Sequence, residues 1–327
     1  MFKTTAAENV GISREIIRKY REKYMENIKV CTLDDNNYPL RLREIENPPE
    51  KLYYKGHLPK DDVPAVAIIG ARDCSEYGTY VANAFGEALA SYGVNIISGM
   101  ARGIDGISQV GAIRAGGRTY GVLGSGVDVC YPVKNLQLYK DIQKNGGVLS
   151  IFPPGSKPER YHFPMRNRIV AALADLILVV EAREKSGTSI TVELAMGMGK
   201  EVYAVPGRLT DRLSDGCNRL IKEGAGVALS PEDVLRELSL IWEIKHPNND
   251  KLNYNLINKL ETGQGVKDEG VLKYMDTLPK SVEEIHMLRL KKEPDATLQE
   301  TLTQIVLRCS TGDACQVGSG YFYKVLR

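Results

Sequence analysis

Ala65-Val66-Ala67-Ile68-Ile69-Gly70-Ala71-Arg72 is the stretch on which the reading of this chain turns. A short apolar run rich in β-branched side chains fits a fully buried strand, and the helical spacing from Tyr80 to Tyr92 supplies what should follow it. Strand, glycine turn and helix make the first unit of a βαβ fold. In such folds ligands sit outside the carboxyl ends of the strands, where a glycine lets the backbone approach an anion and an arginine can fork onto it. The functional site is expected at this turn.

Working outward, apolar runs recur at Val94-Asn95-Ile96-Ile97, Thr119 to Leu123, Gly147 to Ser150, Leu176 to Val180, Val202 to Val205 and Val227 to Leu229. Helical patterns near 103–115, 135–144, 165–174, 188–198, 216–223 and 231–238 separate them. This alternation predicts an α/β fold, a Rossmann-like domain with a mostly parallel sheet covered on both faces. Upstream, residues 13–28 predict one charged helix with Ser13 as N-cap, and Val30 to Leu33 reads as a strand. The Pro- and Tyr-rich stretch from Tyr38 to Gly56 reads as an extended connector.

Downstream, the polar segment around His246-Pro247-Asn248-Asn249 and Thr262-Gly263-Gln264-Gly265 reads as a linker. Helical spacing in Gly270–Met275, Val282–Leu288 and Leu298–Val306, then Ala314–Val317 and Tyr321–Val325 around Gly318-Ser319-Gly320, suggests a winged-helix module. In its third helix, Leu298, Leu302, Ile305 and Val306 are expected to face the core, leaving Gln299, Thr303 and Gln304 outside. The expected boundaries are a short N-terminal helical region with its connector over 1–60, the Rossmann-like domain over 61–240, a linker over 241–267 and the winged-helix module over 268–327.

Composition narrows the function by exclusion. A net charge of +2 gives no global attraction for polyanions, so any anion binding must come from a local cluster. The module over 268–327 carries 8 basic against 9 acidic residues, which argues against a strong DNA-binding surface there. No apolar run reaches membrane-span length and the first residues lack a signal-peptide core, which predicts a cytoplasmic protein. The 6 cysteines form no CxxC pair and the 4 histidines are scattered, so neither a metal nor another cofactor is expected.

Glycine turns also close the second and third strands: Ser98-Gly99-Met100-Ala101-Arg102-Gly103-Ile104-Asp105, and Gly124-Ser125-Gly126-Val127-Asp128 leading to Tyr131-Pro132. A basic and aromatic cluster follows, Lys157 to Arg168, with four Lys or Arg against one Glu. Charges that track phosphates and rings that stack on bases suit a single strand of nucleic acid. Because cations at a helix N-terminus are disfavoured, an anion partner makes better sense of Arg166 and Arg168 there. Ser186-Gly187-Thr188 opens another helix as an anion cradle or a simple cap. No GxGxxG follows a strand, and neither a GxxxxGK[ST] loop nor a GxSxG elbow is present. With no paired nucleophile and base, no catalytic residue is assigned and a binding protein outranks an enzyme.

At these residues the sequence resembles the DprA/Smf family of DNA-processing proteins. The resemblance runs over residues 38 to 238, with motifs in family order: Gly70-Ala71-Arg72 in place of Gly-Ser-Arg, Ser98 to Asp105, Gly124 to Asp128 with Tyr131-Pro132, Phe163 to Arg168, Ser186-Gly187-Thr188 with Thr191, Pro206-Gly207, and Gly216-Cys217-Asn218. It implies a Rossmann-like homodimer that binds single-stranded DNA and loads RecA onto it in natural transformation. The candidate DNA-binding set is Gly70, Ala71, Arg72, Ser98, Gly99, Arg102, Gly103, Gly124, Gly126, Lys134, Phe163, Arg166, Asn167, Arg168, Ser186, Gly187 and Thr188. Arg72, Arg102 and the Arg166/Arg168 pair are expected to line one groove. The competing enzymatic reading is a nucleotide phosphoribohydrolase with the signature PGGxGTxxE. Gly187-Thr188 fits it in part, but Glu184 and Lys185 replace the paired glycines and Thr191 the catalytic Glu. A third reading gives the chain an adaptor role through the winged helix alone.

Overall fold

The computed structural model describes residues 27–242, 270–275, 280–310, 314–317 and 321–324. The helix expected over 13–28 with Ser13 as its cap lies outside these residues, apart from Asn27 and Ile28, which are not helical. Most of the expected linker also lies outside them. The chain divides into two compact units, Met1–Pro247 and Asn248–Arg327.

The first unit is built on nine strands: β1 (Lys29–Thr32), β2 (Lys51–Gly56), β3 (Ala65–Ile69), β4 (Asn95–Ser98), β5 (Thr119–Val122), β6 (Gly147–Ser150), β7 (Leu176–Val179), β8 (Glu201–Ala204) and β9 (Gly226–Val227). Their order is β1-β2-β6-β5-β4-β3-β7-β8-β9, parallel from β6 onward. Helices cover both faces: α1 (Leu40–Arg43), α2 (Glu76–Ser91), α3 (Ile104–Arg114), α4 (Leu136–Asn145), α5 (His162–Leu173), α6 (Gly187–Gly197), α7 (Asp215–Lys222) and α8 (Pro231–Leu238).

Alternation along the strands divides the core. Ala65, Ala67, Ile69, Ile177 and Val179 pack with Ile169, Val170 and Leu173 of α5 and with Val192 and Ala195 of α6. Val66, Ile68, Leu176 and Leu178 pack on the other face with Phe85 and Leu89 of α2 and with Val234 and Leu238 of α8. Both faces are covered, so every residue of β3 to β7 is buried, and these strands read as continuous apolar runs rather than alternating ones.

The connector reading is corrected over Lys51–Gly56. This segment is a strand, antiparallel to both β1 and β6, with Leu52 opposite Cys31 and Tyr53 opposite Ser150. Leu52 and Tyr54 are buried on one side, a short alternation that the surrounding prolines and tyrosines disguise. Arg41 anchors the same region to the central sheet: its Nε and Nη2 donate to Asp175 Oδ1 and Oδ2 at 3.0 and 2.9 Å. Asp175 Oδ2 also accepts from the N–H of Ala65 at 2.8 Å, so this ion pair fixes the entrance to β3.

In the second unit a 3-10 turn (Gly270–Tyr274), β10 (Lys280–Ser281), α9 (Val282–Leu290), α10 (Leu298–Ser310), β11 (Ala314–Val317) and β12 (Tyr321–Lys324) enclose a core of Val271, Tyr274, Ile285, Ile305 and Phe322. The strands form an antiparallel sheet ordered β10-β12-β11. The expected inward face of α10 is corrected: Thr301 and Ile305 are buried, whereas Leu298, Leu302 and Val306 are exposed. The threonine's partner lies on α9. Buried Arg289, ion-paired through Nε with Glu293 at 2.7 Å, has a further donor in Nη1, which Thr301 Oγ1 accepts at 3.2 Å, giving the inward threonine a polar partner.

Candidate nucleic-acid interface

β3 lies where the strand order reverses, between β4 and β7. At such a switch point the loops leaving adjacent strands diverge to opposite faces and open a crevice. A pocket of about 450 Å³ occupies it. Its rim is Gly70 to Asp73 on one side and Arg183, Ser186, Gly187 and Thr188 on the other. Gly99, Ala101 and Asp105 contribute from β4 and its loop, and Phe163, Pro164, Arg166 and Asn167 come from α5.

The Gly70–Arg72 turn is held from three directions. The N–H of Ala71 donates to Glu181 O at 2.7 Å, and Ala71 O accepts from the N–H of Ile104 at 3.2 Å. Gly103 adopts φ +79°, and a Cβ there would lie 2.2 Å from Ala71 O, so glycine is required on both conformational and steric grounds. Below the turn, buried Glu181 accepts from the N–H of Ser75 at 2.9 Å and from its hydroxyl. Ser75 Oγ in turn accepts from the N–H of Gly78 at 3.0 Å and caps α2.

The floor is a polar clamp on Gly99. Its N–H donates to Asp105 Oδ2 at 3.1 Å, and its carbonyl accepts from Arg166 Nη1, which also reaches Val122 O at 2.8 Å. Burial pushes the Asp105 carboxyl up from its ordinary range, while the nearby Arg166 guanidinium acts against that rise. Burial likewise draws Arg166 down, and Asp105 opposes it. Phe163 has two guanidiniums within reach of its ring, Arg72 Cζ at 5.4 Å and Arg166 Cζ at 5.9 Å from the ring centre. Arg72 is exposed and, among the described residues, makes neither an ion pair nor a side-chain hydrogen bond.

Ten of the seventeen candidate residues come together at the pocket: Gly70, Ala71, Arg72, Gly99, Phe163, Arg166, Asn167, Ser186, Gly187 and Thr188. Seven do not line it. Ser98 is buried and its hydroxyl donates to Ile68 O at 2.7 Å inside the sheet. Gly103 braces the turn from behind. Gly124 leaves room for the Phe163 ring, since a Cβ there would lie 3.1 Å from Cδ1. The N–H of Gly126 ties its loop to Ser156 O at 2.9 Å. Arg102 is exposed and paired with Asp73. Lys134 stands exposed on a 3-10 turn, Val133–Asn135. Arg168 turns away and donates to Asn47 O at 3.2 Å.

The expected single groove of four arginines is therefore corrected to Arg72 and Arg166, with Arg183 added. Since α5 begins at His162, Arg166 lies beyond the helix's first turn, and the carbonyls of Gly99 and Val122 with Asn167 Oδ1 satisfy it rather than the solvent. Arg183 and the bracing role of Glu181 are additions to the expected set. Their signal was position just past the end of β7, but only the strand order puts that end beside Arg72. Ser186 Oγ is a buried hydroxyl without a partner among the described residues. It stands at the N-terminus of α6, where unpaired N–H groups favour an anion.

Comparison with known proteins places this geometry. The family described as DNA recombination-mediator protein A matches residues 29–239. The DNA processing protein DprA of Streptococcus pneumoniae is 44% identical over 203 residues, 62% of this chain and 72% of that protein. Its Bacillus subtilis counterpart is 39% identical over 224 residues, 68% and 74% of the two chains. The solved S. pneumoniae structure superposes with a TM-score of 0.61 at 39% identity, covering 70% of this chain and 79% of that one. The Helicobacter pylori protein, described for its single-stranded DNA binding mode, gives 0.59 at 30% identity over 66% of this chain and 98% of that one. The family match spans all nine strands of the sheet, from Lys29 to Val227, and the chain belongs to the DNA recombination-mediator protein A family.

Proposed function

We propose that this protein binds single-stranded DNA at the switch-point pocket and acts as a DNA-processing mediator in natural transformation and recombination. The observation that carries this reading is Arg72, an exposed guanidinium over the Phe163 ring with no ion-pair or hydrogen-bond partner for its side chain among the described residues. An unpaired cation beside an aromatic face offers a phosphate contact and a base platform together. Gly70, Ala71, Gly187, Thr188 and Ser186 supply backbone and hydroxyl groups around it. RecA as the protein onto which DNA is passed, a homodimer as the working form and the cytoplasm as its location follow from the family resemblance. We also read residues 61–240 as the DNA-binding domain and 268–327 as a winged-helix accessory.

The enzymatic alternative finds less support. Glu184 pairs with Arg219 at 3.0 Å and does not line the pocket, and Thr191 stands where a phosphoribohydrolase carries its catalytic glutamate. Asp105 and Glu181 are both committed to backbone N–H groups. The deciding experiment is fluorescence anisotropy with single-stranded and duplex oligonucleotides of one sequence. Preference for the single strand, no need for ATP and log affinity falling linearly with log salt are expected. Equal affinity for duplex, or affinity flat in salt, would overturn the reading, and adenine released from AMP would restore the enzyme.

A further inference from the structure

Two exposed tyrosines lie near Phe163, Tyr131 in space and Tyr161 in sequence, and they differ in what surrounds them. Tyr131 follows the β5 loop, is 47% exposed, and its ring centre lies 6.0 Å from that of Phe163 at a tilt of 46°. Its hydroxyl has no hydrogen-bond partner among the described residues. Three residues on, Lys134 is exposed, with no carboxylate at ion-pair distance among the described residues. Asn135 anchors this turn to the pocket edge, its Nδ2 donating to Met100 O at 2.9 Å and Ala101 O at 3.1 Å. Tyr161, two residues before Phe163, is 61% exposed but packs edge-on against His162, 4.5 Å between centres. The Glu159 carboxylate beside its hydroxyl raises the phenol's pKa and would repel a phosphate.

We infer that a single strand held at Phe163 leaves the pocket over Tyr131 and Lys134, with Tyr131 stacking a second base and Lys134 meeting the phosphate beyond it. This rests on the single-strand reading above and gives the strand a direction. The geometry suits a splayed strand, because two rings tilted by 46° offer faces to separate bases rather than to a stacked pair. The fixed turn supplies the pre-organisation that makes such a platform effective.

The test is anisotropy on the full chain with labelled oligothymidylates of two lengths, one just long enough to saturate the pocket and one several nucleotides longer. Tyr131→Ala should weaken the longer oligonucleotide about tenfold and leave the shorter unchanged, since only the longer strand reaches the ring and stacks on it. Tyr131→Phe should bind as the parent does. Lys134→Ala should lower the salt slope on the longer oligonucleotide by about one. Tyr161→Ala should change nothing at either length. Equal losses at both lengths for Tyr131→Ala would mean that the ring merely supports Phe163, and no loss at either would mean that the strand leaves elsewhere; either result overturns the inference. Failure of the parent protein to bind either oligonucleotide would overturn the single-strand reading itself, a different result from a length-independent variant.

Discussion

Arg72 and Arg166 lie near one phenylalanine and do opposite things. Arg166 is 4% exposed, bonded to the carbonyls of Gly99 and Val122 and placed near the buried Asp105 carboxylate. Arg72 is open to solvent with only the ring beneath it. A guanidinium already committed to carbonyls in the interior cannot turn to a ligand without stranding them, whereas an uncommitted one at a rim can. The same residue type in the same pocket is a structural brace in one place and a ligand contact in the other.

Removing the brace should have the largest effect. Arg166→Ala strips the buried carbonyls of Gly99 and Val122 of their donor and removes the guanidinium that opposes the rise of the Asp105 carboxyl, and is expected to cost about 3 kcal/mol of stability. Arg166→Lys should recover only part of it, because one ammonium cannot hold the two carbonyls and also replace the Nε donor that Asn167 Oδ1 accepts. Urea denaturation measures both, and a fully stable Arg166→Ala variant would erase the contrast between the two arginines.

Gly103→Ala comes next. It forces a Cβ onto Ala71 O at φ +79° and should cost about 1–3 kcal/mol. Because the strain is discharged through the turn that carries Arg72, both melting temperature and single-strand affinity should fall. Loss of stability with affinity intact on the folded fraction would show that the turn does not depend on its brace.

Arg72→Ala should leave stability unchanged, weaken single-strand binding about tenfold, about 1.4 kcal/mol, and shallow the salt slope by about one. Arg72→Lys should keep the slope and recover only part of the affinity. A lowered melting temperature with unchanged affinity would make Arg72 a structural residue after all.

The smallest effects belong to the second unit. A chain ending near residue 240 should lose less than tenfold in single-strand affinity, given 8 basic against 9 acidic residues over 268–327. Within that unit Lys273, Arg289 and Tyr274 hold the Glu293 carboxyl down to about 2. Its folded value lies below the unfolded one, so the contribution is present above the ordinary carboxylate range and is lost as pH falls through it toward about 2. Hydrogen exchange over 280–310 should show protection declining across that window in the parent protein and a shallower decline in Glu293→Gln.

The sequence by itself determined the alternation of strands and helices, the burial of Ala65–Ile69 and the glycine turn after it, because local periodicity and the backbone demands of glycine are properties of neighbouring residues. It also located ten residues of the pocket, since ligand-facing loops follow strand ends in any parallel sheet. Only tertiary structure decided the rest. Lys51–Gly56 became a strand because β1 and β6 offered edges to pair with. Thr301 took the inward position rather than Leu302, with a buried arginine on another helix as its polar partner. Arg166 and Arg168, two residues apart on α5, went to a carbonyl clamp and to Asn47, because a helix sends such neighbours to different faces and strand order fixes what each face meets. Strand order is the quantity local sequence does not contain, since pairing depends on long-range burial, and it is what brings the end of β7, with Arg183 and Ser186, beside the turn that carries Arg72.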